Sequence, residues 1–383
     1  MSRPSLPWTT IAAATSGIAA MALLAAPPAG AAAPSVTVVA SGLNNPKHLA
    51  FGPGGLYIPE PGTGGDSCVT ISGTSYCSGA TGSIQVLGRS GLRTLRTGLP
   101  SVLNSSEGVF GAAAVTFYQG RPAVLMQDTA VRSDGTTGAQ GPDTELLGKL
   151  LISNPSGGWT TGADYAAFAA THPQDPATLG GPPGETVYDA DPYDVVQYRG
   201  GYAMADGAAN DVVWRSPGGR LSVLDRLPTT PETVPAGVLG PDPVTIDAQA
   251  VPTSLAVGPD GALYVATFPG FPALAGTAKV YRLEPGRAPV AVVSGLTQVS
   301  DIAFDHCGRL LVLEYNTTGG FGSDSAPGAL LRVGRGGAVS TLPVDGLNQA
   351  TGLTVGADGA VYVAINGNTS AGDGEVLRIT GLG

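Results

Sequence analysis

GEVLRITGLG, residues 374–383, reads as one extended strand and stops where a second should begin. Four internal segments supply the kind of strand it lacks: GLRTLRTGL (91–99), GRLSVLDRL (219–227), APVAVVSGL (288–296) and GAVSTLPVDGL (337–347). A fifth copy, SVTVVASGL (35–43), stands alone near the other end of the chain. A repeat offset in this circular way closes on itself, with 35–43 completing the last unit. The expectation is an all-β, six-bladed β-propeller of four-stranded blades, closed by the N-terminal strand.

Working outward, each unit begins with a hairpin. LAVGPDGALYVA (255–266) recurs as LTVGADGAVYVA (353–364), IAFDHCGRLLVLE (302–314) and LAFGPGGLYIPE (49–60). Weaker copies are VVQYRGGYAMAD (195–206) and VTFYQGRPAVLMQ (115–127). Asp-Gly and Gly-Gly between apolar runs are hairpin turns. A third strand follows each hairpin, as in AKVYRLE (278–284) and GALLRVG (328–334). In the second unit the fourth strand is replaced or obscured by TTGADYAAFAATHPQDP (160–176), which reads as a short helix.

The domain reading is a secretory signal over 1–31 and the propeller over 32–383. Arg3, the apolar run 11–26 and a small-residue site ending at Ala31 form the signal pattern. The run is too short for a bilayer span, which needs about 20 apolar residues, and no later segment spans. Localisation is expected to be extracellular. The net charge of −10, without a Lys/Arg run, argues against nucleic acid as a partner. Of three cysteines, Cys68 and Cys77 share one loop, and export makes a disulfide between them the expectation. Cys307 is left over. A monomer is the expected state.

These pieces, in this order, resemble the ScyD/ScyE family of secreted six-bladed propellers, found with NHL-type and TolB-like propellers. VPTSLAVGPDGALYVATFPGFP (251–272), TGLTVGADGAVYVAINGN (351–368), ADYAAFAATHP (163–173) and CSGATGSIQVL (77–87) carry the resemblance, which covers nearly the whole mature chain. It implies the fold and export, and no catalytic residue.

Up-and-down topology puts the second-to-third loops on one face, and these are the long ones: 61–81, 128–146, 267–277, 315–327 and 366–373. Functional residues concentrate on loops carried by a rigid scaffold. Around the mouth of the channel the candidates for ligand binding are His48, Glu60, Glu107, Asp206, Thr253, Phe268, Phe271, Asp301 and Glu314. Asn45, Lys47, Asp128, Tyr193, Asp194, Thr351 and Asn366 complete the ring. Its carboxylates suit a single divalent cation such as Ca2+, or serve as acceptors for backbone N–H groups. No G-x-S-x-G elbow is present, and His48, His172 and His306 do not fit a Ser–His–Asp triad. The expected partner is a small molecule or polymer at the mouth. The alternatives are an extracellular protein-interaction scaffold and a metal-assisted, lactonase-like hydrolase.

Overall fold

A computed structural model describes residues 33–71, 73–127, 129–131, 144–172, 188–320 and 326–383. The segment 1–31 and Asp128 lie outside these residues. Among the described residues six antiparallel sheets of four or more strands follow one another along the chain, forming a six-bladed β-propeller. The innermost strands are Ala50–Gly52, Ala112–Tyr118, Pro192–Tyr198, Pro252–Val257, Val299–Phe304 and Gly352–Val355.

The last sheet is closed by the first strand. Ser35–Leu43 pairs antiparallel with Gly374–Thr380, from Ser35 opposite Thr380 to Leu43 opposite Gly374. The hairpin turns carry the expected chemistry. Gly261 and Gly359 take φ of 75° and 77°, a region closed to most side chains. The preceding aspartates fold back on the turn: Asp260 accepts from the Ala262 amide at 3.2 Å and Asp358 from the Ala360 amide at 3.1 Å. Each also holds an arginine of its third strand, Arg282 at 2.8 Å and Arg378 at 2.6 Å.

The apolar core is six separate seams. Each lies between consecutive blades, and the last joins Ala364 and Val376 of blade 6 to Leu49, Leu56 and Ile58 of blade 1. Strands are therefore covered on both faces, as in the uniformly buried Leu310–Glu314. That is why their sequences run apolar instead of alternating. Aromatic edge contacts recur at the seams: Tyr57 with Phe117, Tyr264 with Phe304 and Tyr362 with Phe51.

Three segments differ from the sequence reading. Blade 2 does have a fourth strand, Trp159–Asp164, and the short helix Tyr165–Ala169 follows it. Asp164 ends the strand and caps the helix through the Ala167 amide at 2.9 Å, as an N-terminal aspartate does. The connector into blade 4 carries a hairpin, Thr230–Val234 with Val244–Ala248, which its prolines disguise. The loop after Glu60 holds another, in which Ser67–Ile71 lies against the strand containing Cys77. Cys68 and Cys77 are bridged and Cys307 is free and exposed.

Candidate functional site

Register places one residue from each blade on a common rung around the axis. Ala114, Asp194, Ser254, Asp301 and Gly352 pair with Leu125, Ala205, Ala266, Leu313 and Ala364 of their second strands. Lys47 donates its amide to Pro59 as Thr351 does to Ala364, so His48 occupies the same rung in blade 1. Blades 1, 3 and 5 thus supply His48, Asp194 and Asp301, and blades 2, 4 and 6 supply Ala114, Ser254 and Gly352. At Gly352 a Cβ would stand 2.4 Å from the Lys47 carbonyl, so the backbone itself fills that position.

His48, Asp194 and Asp301 are all buried, and one donor atom from each lies within 4.8 Å of the others. Both carboxylates are held from behind. Asp194 accepts from the amides of Val195 and Leu255, each at 2.7 Å. Asp301 accepts from the Ser254 hydroxyl at 2.6 Å and from the amides of Ile302 at 2.8 Å and Leu353 at 2.6 Å. His48 is held less well. Its Nδ1 lies 3.1 Å from Asp301 Oδ2 without hydrogen-bond alignment, and its Nε2 has no partner. Burial pulls the imidazole pKa down, but the Asp301 and Asp194 charges outweigh it and hold it above the ordinary value. Burial pushes the Asp194 carboxyl up.

This neck separates two chambers with no shared lining. Below it a cavity of about 410 Å³, walled by the innermost strands, reaches toward the hairpin turns. Above it a mouth chamber of about 260 Å³ is lined by Phe110, Tyr193, Phe268 and Tyr315 together with Lys47 and Glu107. Tyr193 meets His48 edge-on at 5.6 Å, and Phe268 meets Tyr315 at 6.0 Å. Burial lowers the Lys47 ammonium pKa to about 8 against the opposing charge of Asp191. Burial raises the Glu107 carboxyl.

The ring residues therefore fall into three groups. His48 and Asp301 meet at the neck, joined by Asp194. Glu107, Thr253 and Phe268 line the mouth chamber, and the Thr253 hydroxyl donates to the Val299 carbonyl at 2.7 Å. Glu60, Asp206 and Glu314 hold backbone instead: Asn44 N to Glu60 at 2.6 Å, Asp191 N to Asp206 at 3.0 Å and Thr297 N to Glu314 at 2.7 Å. Phe271 is 42% exposed and outside the chamber lining. Gln298, at the entry to blade 5, also lines the chamber and is absent from the sequence candidates.

Comparison with solved structures finds the same architecture. A glucose dehydrogenase matches at 16% identity and a TM-score of 0.50, over 90% of this chain and 99% of its own. A gluconolactonase from Xanthomonas campestris matches at 12% identity and a TM-score of 0.49, over 91% and 90%. A virginiamycin B lyase from Staphylococcus aureus matches at 9% and 0.47, over 91% and 98%. The likeness is one of fold. No protein-family model and no curated protein matches the sequence, so the ScyD/ScyE resemblance rests on the sequence pieces alone.

Proposed function

We propose that this is a secreted, ligand-binding propeller that holds a small molecule in its mouth chamber. The observation that carries the reading is the lining: four aromatic rings, with one buried amine and the carboxyls of Glu107 and Asp191 among them, in a cavity of about 260 Å³. Small-molecule sites combine apolar walls with a few placed polar groups in this way. The size suits a compact ligand, or one residue of a polymer. The resemblance to ScyD/ScyE propellers and the N-terminal signal pattern support export. A protein-interaction scaffold would present a flat polar face, and the concave chamber favours the ligand reading over it.

The test is a melting-temperature screen of the mature protein against small metabolites, followed by Phe268→Ala and Lys47→Met variants. A compound that raises the wild-type melting temperature should lose at least about tenfold in affinity when the Phe268 ring is removed, in keeping with roughly 1.5–3 kcal/mol for a buried aromatic side chain. Shifts that survive both variants would place the ligand elsewhere. Incubation of bound lactones, read by pH-stat titration, separates a lactonase-like hydrolase from a binding protein.

A further inference from the structure

We propose that His48, Asp194 and Asp301 bind a single first-row divalent transition-metal ion at the neck, Zn2+ or Mn2+ in preference to Ca2+. Three features converge. The donors come from alternate blades of one rung, so they approach the axis from three sides, and the intervening positions carry only the short side chains of Ala114 and Ser254, and none at Gly352. Among the described residues, this is the group of His, Cys, Asp and Glu side chains whose donor atoms come together. And His48, 4% exposed, sets its Nδ1 3.1 Å from Asp301 Oδ2 out of hydrogen-bond alignment, and neither ring nitrogen has a hydrogen-bond partner. A buried imidazole in that condition is uncommon, because buried polar atoms almost always find partners.

The aspartates are already aimed. Each uses backbone amides to fix its carboxylate, and Ser254 adds a hydroxyl behind Asp301. Outer partners of this kind orient metal-binding carboxylates. Each carboxylate keeps an oxygen with a single hydrogen bond, and such an oxygen can still bind a cation. The donor set decides the metal. Ca2+ takes six to eight oxygens, whereas imidazole with carboxylates suits Zn2+, Mn2+ and their neighbours. Three protein donors leave positions open, and all three residues line the lower chamber. Small anions or water in that chamber would complete the shell. The site shares no lining residue with the mouth chamber, whose Tyr193 meets His48 edge-on from above.

The experiment loads chelator-treated mature protein with Zn2+, Mn2+ or Ca2+ and measures bound metal by elemental analysis alongside the melting temperature. One Zn2+ or Mn2+ per chain is expected, with a higher melting temperature, and Ca2+ is expected to do neither. His48→Gln should weaken binding by at least about tenfold, the order seen even for loss of an outer partner, whereas Phe268→Ala should leave it intact. Should the neck variant not fold, Mn2+-loaded wild type answers instead, since pulsed electron paramagnetic resonance detects a coordinated imidazole nitrogen. Absence of bound metal, equal affinity in His48→Gln, Ca2+ binding as tight as Zn2+, or no nitrogen coupling would each overturn the proposal.

Discussion

Asp206 shows how a buried carboxylate is used away from the axis. Its Oδ1 accepts from the amides of Asp191, Ala208 and Ala209 at 3.0, 3.1 and 3.2 Å. Burial nevertheless pushes its pKa up to about 6. The unfolded chain ionises this group near 4. Between about 4 and 6 the folded state holds a proton that the unfolded state has lost, so stability falls as pH rises through that window and is flat above it. Asp206→Asn keeps the accepting oxygen without the charge. It should raise neutral-pH stability by roughly 1–3 kcal/mol and flatten the slope between about 4 and 6. Urea unfolding at both ends of the window measures this, and an unchanged slope would refute it. Glu60 and Glu314 sit at the same strand end and accept from the amides of Asn44 and Thr297, one residue further back along the entry segment. Sequence marked all three as polar residues at the ends of second strands. It could not show that backbone amides already occupy them. Asp194 was visible in the ring too, but its meeting with His48 and Asp301 needs three blades in register, and no local pattern carries that.

At the scale of the element, the entry is the strained part in four of the six blades. Asn45, Val251, Gln298 and Gln349 have φ of 57°, 47°, 40° and 42°, each three residues before its rung position. The left-handed turn swings the chain from the rim into the innermost strand. Asn tolerates this conformation and a β-branched residue does not. Val251→Asn keeps the amide that donates to Asn210 Oδ1 at 2.8 Å. It should stabilise the protein by about 1 kcal/mol, read as a higher midpoint in denaturant at unchanged slope; a lower midpoint would show that the Val251 side chain matters more than its backbone. Asn45 fits the turn openly, whereas Val251 reads as an ordinary strand residue. The hairpin Thr230–Val234 stayed hidden for a related reason, since Pro231 and Pro235 look like linker residues. Trp159–Asp164 was obscured because the alanine-rich helix behind it dominates the local pattern.

Across the whole molecule the fold was the legible part, because six copies of one hairpin speak together and the offset ends announce the closure. Deleting 35–43 tests that closure. It would strip Leu43 and Ala40 from the sixth seam and leave the edge of Gly374–Thr380 bare, an invitation to aggregation. Cooperative melting should be lost and light scattering should rise. A deletion that melts like the parent would be incompatible with a closed ring.

The pairing of Ser35 with Thr380 also means that the two ends of the propeller lie side by side on one sheet. No blade is first in the ring, since a seam joins every neighbouring pair and the covalent break falls within a blade. The same object could be threaded from a different starting point. A circular permutant, with the ends joined by a short Gly/Ser bridge and the chain opened at the Asp260–Gly261 turn, would keep every ladder but move the break to a hairpin tip. Evolution and the engineer alike can therefore treat the order of the blades along the gene as separable from their order in space.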